Sequence, residues 1–181
     1  MQRTVKYIVY TLLATVFLTS CGDGVSLQRY FVDNQESASF ISQDVPLSMI
    51  EVDKSQFNEE QMEAYNSVKR LNFLGFKANE TNMEAFNTEL AKVKTILNHK
   101  KYNDLIEFSD KGNKVVVKYI GDDDEADEVV VFGNANDLGF AIVRVLGNNM
   151  SPEKMVTLVS ALRDSNFDAS QVSSDIMNFF K

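Results

Sequence analysis

The sequence predicts an α+β domain, built from a mostly antiparallel sheet with helices packed on one face. Two observations carry this prediction. Between residues 104 and 146 four apolar runs are separated by short polar turns, which is typical of an antiparallel meander. Outside this region apolar residues recur at three- and four-residue spacing, which is typical of helices that bury one side. Because no linker or internal repeat divides residues 27–181, we expect a single domain there.

The first half of the domain is expected to alternate between helices and extended segments. An apolar cluster after residue 26 predicts a helical turn, and residues 39–50 are expected to be extended, with an interruption at Pro46. Asn58 is a good helix cap for a segment that runs to Ser67. Residues 68–77 follow as a strand with apolar side chains on both faces.

The strongest helical pattern covers residues 82–97. The stretch Thr81-Asn82-Met83-Glu84 before it fits a capping box. Two heptads are too few to indicate a coiled coil, so we expect the apolar side of this helix to pack on the sheet. The side chains on that side are Met83, Phe86, Leu90, Val93 and Leu97.

Strands followed by helices are expected in the second half. The predicted strands are 104–109, 114–120, 128–132 and 139–146. Ser151 as the cap, with Pro152 in the first helical position, predicts a helix to Arg163. A last helix is predicted over residues 169–180, and its apolar residues are Val172, Ile176, Phe179 and Phe180.

Residues 1–20 have the three parts of a cleaved secretory signal: a cationic start, an apolar segment and small residues at its end. The apolar segment is shorter than the roughly 20 residues that a membrane-spanning helix needs. Its end, Leu18-Thr19-Ser20-Cys21, resembles the bacterial lipobox. The resemblance implies cleavage between Ser20 and Cys21 and a covalent diacylglycerol and acyl lipid on the Cys21 sulfur. An ordinary signal peptide followed by a free cysteine is the alternative.

Cys21 is the only cysteine, so no disulfide can form within the chain. Residues 21–26 would be a lipidated tether whose extended reach is roughly 17 Å, which holds the domain close to the membrane. Two or three acyl chains would make that anchor stable. Gly22 follows the cysteine, so the inner-membrane retention signal known from enteric bacteria is absent.

The charge of the mature chain disfavours polyanionic partners. The whole chain has 18 basic and 26 acidic residues, and residues 1–20 contain two of the basic ones and none of the acidic ones. The mature chain therefore keeps 16 basic and 26 acidic residues, a formal charge of −10. Nucleic acid and anionic lipid are poor direct partners for such a chain.

One acidic stretch suggests a weak cation site. Carboxylate oxygens are what Ca²⁺ prefers. The candidate ligands are Asp122, Asp123, Asp124, Glu125 and Asp127. The spacing of glycine and glutamate does not fit an EF-hand, so a solvated turn between two strands is the favoured alternative.

The sequence contains few candidates for catalytic residues. His99 is the only histidine, and its position after a predicted helix fits capping or exposure better than catalysis. Neither a nucleophile elbow nor a phosphate loop nor a dinucleotide fingerprint is present. We therefore name no catalytic residue and no protein-bound metal or cofactor.

Five stretches together resemble the domain of unknown function 4252, a family of lipoproteins from the Bacteroidota. They are SLQRYF from Ser26, LGFKANET from Leu74, KTILNHKKYNDLIEF from Lys94, KVVVKYIGDDDEADEVVVFG from Lys114 and GFAIVRVLGNNMSPEKM from Gly139. The resemblance implies a Gram-negative host with an outer membrane, and it brings no known activity.

These observations favour a lipoprotein anchored in the cell envelope, on the periplasmic face of the outer membrane. Its domain would be a non-enzymatic module that binds another protein or a small ligand, and Phe179-Phe180 is a candidate contact for a protein partner. The alternative is a hydrolase that uses carboxylates or a bound metal, which only the acidic stretch supports.

Overall fold

A computed structural model describes residues 26–50, 52–110, 113–135 and 138–164. Within these ranges the helices are α1 (Leu27–Asn34), α2 (Glu59–Ser67), α3 (Met83–Leu97) and α4 (Pro152–Asp164), with a 3-10 turn at Leu47–Met49. The strands are β1 (Phe40–Pro46), β2 (Val68–Lys77), β3 (Asn103–Asp110), β4 (Asn113–Gly121), β5 (Ala126–Ala135) and β6 (Gly139–Gly147). The predicted signal, Cys21 and the predicted last helix lie outside the described residues.

The six strands form one open antiparallel sheet in the order β1-β2-β6-β5-β4-β3. The α+β class and the predicted four-strand meander, β3 to β6, are confirmed. Helix α3 connects β2 to β3 at the far edge, and the meander then returns until β6 pairs with β2. This long crossover places strands from both halves of the chain side by side.

The helices cover both faces of the sheet, so the prediction that they pack on one face is wrong. Helices α1 and α3 share a buried cluster with the side of the sheet that carries Leu74, Phe140 and Ile142. Helices α2 and α4 share a second cluster with the opposite side, around Val117 and Val129. The physical reason lies in strands such as β5, where consecutive valines leave apolar side chains on both faces of the sheet.

Two predicted helix starts are confirmed. The Asn58 side chain accepts a hydrogen bond from the Gln61 backbone N–H at 2.9 Å, and Gln61 Oε1 accepts one from the Asn58 N–H at 2.9 Å. This pair is a complete capping box at the start of α2. Ser151 Oγ accepts from the Lys154 N–H at 3.2 Å, which caps α4.

The predicted capping box at Thr81 is wrong. The Thr81 hydroxyl donates instead to the Asn79 side chain at 2.6 Å. Asn82 occupies the cap position of α3 without a side-chain capping bond, because its amide accepts from the Asn79 N–H and donates to the Lys77 carbonyl. Asparagine therefore stabilises the turn before α3 rather than the first turn of the helix.

The core that joins α1 and α3 to the sheet is rich in phenylalanine. Phe76 and Phe140 stack with ring centroids 5.7 Å apart, and Phe86 of α3 lies 6.2 Å from Phe140. Phe86, Val93 and Leu97 are buried there, as the apolar spacing of residues 82–97 predicts. Met83, at the start of that pattern, is 38% exposed.

Candidate functional site

The two faces of the sheet are buried to different extents. On the closed face the central side chains are no more than 3% exposed: Leu74, Phe76, Val130, Phe132, Phe140 and Ile142. On the open face an apolar set is only half-buried: Leu71, Leu105, Ile106, Val131, Val143 and Val145. The described helices therefore leave part of an apolar sheet surface uncovered.

An apolar pocket of about 230 Å³ lies over the open face. Its lining residues come from the turn after β1, from helices α2 and α4, and from strands β2 to β6. They are Leu47, Ile50, Val52, Tyr65, Val68, Leu71, Leu105, Ile106, Val117, Val129, Val131, Val143, Val145, Met155, Leu158 and Val159.

Local irregularity in β3 contributes two neighbouring side chains to the apolar pocket. The pairing register between β3 and β4 shifts between Asp104 and Ile106. A bulge of this kind lets consecutive residues turn toward the same face, whereas a regular strand alternates its side chains. Leu105 and Ile106 both line the pocket for this reason.

The wall of the apolar pocket is almost entirely hydrocarbon. Among the described lining residues only Tyr65 carries a hydroxyl, amide or charged group. The Tyr65 ring packs edge-on to Phe57, with centroids 6.2 Å apart, and the Lys54 ammonium lies 4.7 Å from its centroid. Such a wall favours an apolar group, which gains by leaving water, over a polar metabolite.

Helix α4 places one valine at the apolar pocket and another beside it. Val159 lines the pocket and is 45% exposed. Val156, one turn earlier, is 40% exposed and is not among the lining residues. The two positions form a matched pair for testing the pocket, because residue type, helix and exposure are alike.

Glu128 ends the acidic stretch, which covers residues 122–128, and it is the only acid of that stretch that is buried. Glu128 accepts two hydrogen bonds from Arg144, at 2.7 Å from Nε and 2.6 Å from Nη2, and both side chains are 11% exposed. The hydrogen bonds to Glu128 raise the pKa of Arg144, which keeps the guanidinium charged. The sequence does not indicate this pair, because Glu128 stands beside several other acidic residues and nothing in the local pattern distinguishes it from them.

The remaining acids of the stretch stay at the surface. Asp122, Asp123, Asp124, Glu125 and Asp127 are all exposed. The Tyr119 hydroxyl donates to Asp123 at 2.6 Å, and this bond raises the tyrosine pKa.

No group of three or more His, Cys, Asp or Glu side chains in the described ranges is arranged to hold a metal ion. The weak cation site stays a prediction, and titration calorimetry with Ca²⁺ tests it. His99 follows α3 and is exposed. Ser20 and Cys21 lie outside the described residues.

The fold and the pocket define a class: an α+β domain with an open antiparallel sheet, helices on both faces and an apolar pocket on one of them. The chain belongs to the family described as a domain of unknown function, DUF4252, whose model matches residues 31–158. That range includes all six strands. The comparisons with curated proteins and with solved structures gave no match. None of the helices in the part of the chain that the structure describes is long and apolar enough to cross a membrane.

Proposed function

We propose that this protein is a lipoprotein of the bacterial cell envelope, anchored by acyl lipid on Cys21 at the periplasmic face of the outer membrane. Its domain is a non-enzymatic binding module, and the apolar pocket is its binding site. The observation that carries the proposal is the half-buried set of sheet side chains on the open face, which forms a ready surface for an apolar group.

The chemistry of the apolar pocket supports binding. Apart from the Tyr65 hydroxyl, the described residues that line the pocket provide neither a base nor a nucleophile. Its volume of about 230 Å³ suits a small hydrocarbon ligand or one or two apolar side chains of a protein partner. For comparison, a cavity of about 150 Å³ holds a benzene molecule.

The position of Cys21 supports anchoring. Only residues 22–26 separate Cys21 from the start of α1 at Leu27. The domain would stay within roughly 17 Å of the membrane surface, since five extended residues reach no further. The formal charge of −10 on the mature chain keeps the domain from lying on anionic lipid.

Metabolic labelling with an alkyne fatty acid in a Gram-negative host tests the anchor. The wild-type protein and a Ser20→Ala control, which keeps the cysteine, are expected to incorporate the label and sediment with outer membranes. Cys21→Ala is expected to lose the label and leave the membrane fraction. Equal labelling or equal sedimentation of Cys21→Ala would show that Cys21 is not the anchor.

A matched pair of variants tests the apolar pocket. In Val159→Lys an ammonium stands at the pocket, whereas Val156→Lys places it one turn away. After gentle detergent release, native mass spectrometry detects a retained small ligand, and affinity isolation detects a retained protein partner. We expect Val159→Lys to lose at least tenfold more of the retained species than Val156→Lys. Equal retention by both variants, or nothing retained by the wild type, contradicts the proposal.

A further inference from the structure

A second cavity, of about 430 Å³, lies on the closed face, where α3 ends beside the edge of the sheet. Its lining residues come from the end of α3 and from strands β3, β4 and β5. No described residue lines both this cavity and the apolar pocket. We call it the lysine cavity, because Lys94, Lys114 and Lys118 all line it.

The lysine cavity has an apolar floor. Leu97, Val116 and Phe132 line it and are no more than 8% exposed. Leu97 and Phe132 also belong to the core that joins α3 to the sheet, so this floor is held by packing from below. The volume falls within the range of roughly 300–1,000 Å³ that is typical of small-molecule sites. The floor therefore gives the apolar body of a small ligand a place to lie.

The three lysines border this floor from two elements. Side chains alternate along a strand, so Lys114, Val116 and Lys118 project from the same side of β4. The backbone positions of the two β4 lysines are about 13–14 Å apart, with the valine between them. Lys94 comes from the last turn of α3. A ligand on the floor would thus lie within reach of several ammonium groups.

Two of the lysines have partners that a ligand can replace. Lys118 Nζ lies 2.5 Å from an Asp104 carboxylate oxygen, and Lys114 Nζ lies 2.8 Å from one of Glu107. Both acids stand on the edge strand β3, and their side chains are 82% and 56% exposed. Ion pairs with such exposed partners contribute little to stability, because solvent screens them. An anion that enters the cavity can therefore take the place of either carboxylate.

The described lining has an excess of positive charge. Lys94 forms no ion pair with a described residue, so three ammonium groups face two carboxylates in a mature chain of formal charge −10. A lysine at the end of a helix complements the helix dipole, which accounts for Lys94 alone. It does not account for Lys118, whose side chain is only 12% exposed although the residue carries a charge. This arrangement favours an anionic ligand.

We propose that the lysine cavity binds a small organic carboxylate. The apolar body of this ligand lies on the floor, and its carboxylate contacts the ammonium groups of Lys94 and Lys118. One carboxylate balances the one excess positive charge of the lining. This second site is independent of the apolar pocket and of the anchor at Cys21.

Nuclear magnetic resonance titration of the mature chain, with Cys21→Ala to keep it free of lipid, tests the site. The probes are 2-naphthoate and 2-naphthamide, which share their rings and differ in charge. We expect 2-naphthoate to shift the amide signals of Val116 and Phe132 in a saturable way, and 2-naphthamide to bind at least tenfold more weakly. Equal binding of both probes, or no saturable shift at millimolar 2-naphthoate, overturns the proposal. Shifts at Val159 instead of Val116 also overturn it, but they support the proposed function of the apolar pocket.

Lysine variants test the charges. Lys94→Met and Lys118→Met each remove one ammonium group from the cavity. Lys92→Met is the matched control, because Lys92 is an exposed lysine of the same helix that does not line the cavity. We expect the first two variants to weaken 2-naphthoate binding at least fivefold and the control to leave it unchanged. Lys94 is exposed, so Lys94→Met keeps the fold even where Lys118→Met does not. The same affinity in Lys94→Met and Lys92→Met would show that the lysine cavity does not recognise the carboxylate.

Discussion

At the scale of single residues, the pair Glu128–Arg144 is the most demanding interaction on the closed face. Both charged side chains are only 11% exposed, and the Arg144 guanidinium carbon lies 5.4 Å from the centre of the Phe31 ring. Burial of both charges costs desolvation energy, which two short hydrogen bonds and the contact with Phe31 offset. Either charge without its partner would therefore lower the stability of the fold.

Removal of one partner is therefore expected to destabilise the domain. Glu128→Ala leaves a buried guanidinium without its carboxylate and should lower the free energy of unfolding by about 3–5 kcal/mol. The double variant Glu128→Leu/Arg144→Met should recover most of that loss, because no uncompensated charge remains. Urea unfolding followed by circular dichroism measures both. A loss below about 1 kcal/mol for Glu128→Ala would show that the pair is not a buried charge pair.

The buried Tyr30 predicts how stability depends on pH. Burial and the hydrogen bond that its hydroxyl donates to Glu89 at 2.8 Å raise the pKa of Tyr30 well above its ordinary value of 10.0. In the unfolded chain the phenol loses its proton near pH 10, whereas in the folded chain it keeps it. The contribution of Tyr30 is thus complete below pH 10 and is lost as the pH rises above that value.

Urea midpoints between pH 8 and pH 11.5 check this dependence. The wild type should lose stability above pH 10 more steeply than Tyr30→Phe, which has no phenolic proton. Tyr65→Phe, on the opposite face of the sheet, is the control and should keep the wild-type slope. The same slope in all three proteins would contradict the assignment to Tyr30.

At the scale of elements, one glycine fixes the close pairing of β2 and β6. Gly139 has φ +130°, and a Cβ there would lie 1.9 Å from the Phe76 carbonyl oxygen. Gly133 in β5 provides the contrast, because nothing lies within 4 Å of the Cβ that it would carry. A side chain is therefore excluded at position 139 but has room at position 133.

Alanine at these two positions should have opposite effects. Gly139→Ala is expected to cost at least about 1–3 kcal/mol from the backbone conformation, with the clash in addition. Gly133→Ala should be neutral or stabilising by up to about 1 kcal/mol, because glycine in a strand costs conformational entropy. Thermal unfolding of both variants measures the difference. Similar melting temperatures would show that the β2–β6 contact is looser than described.

The elements were predictable where the signal is local. The capping box of α2 needs only Asn58 and Gln61, and the paired strands β4 and β5 need only alternation and a short connection. The hydrogen bonds that precede α3 were not, because Thr81 and Asn82 each had two hydrogen-bonding alternatives of similar chemistry. Which one forms depends on the backbone of β2, which the local pattern does not contain.

At the scale of the whole molecule, the function that we propose depends on the placement of helices on both faces of the sheet, because α2 and α4 form part of the apolar pocket. The apolar pocket combines β3, at one edge of the sheet, with the turn after β1 at the other side. The lining residues of α2, α4 and strands β2 to β6 lie in predicted helices and strands, whereas Leu47, Ile50 and Val52 come from the turn after β1. Their convergence follows from the crossover through α3, which the sequence pattern does not specify. The anchor that we propose at Cys21, in contrast, rests on the local sequence alone, and labelling tests it.

Site-specific photo-crosslinking in living cells tests the central claim, that the apolar pocket binds a partner or ligand at the membrane. The natively anchored protein carries p-benzoylphenylalanine in place of Val159, or in place of Val156 as the control, and adducts are identified by mass spectrometry. We predict a defined adduct with a protein or a small apolar molecule from position 159, in addition to any crosslink within the chain, and none from position 156. If position 159 gives no external adduct, or the same adducts as position 156, the apolar pocket is not the binding site.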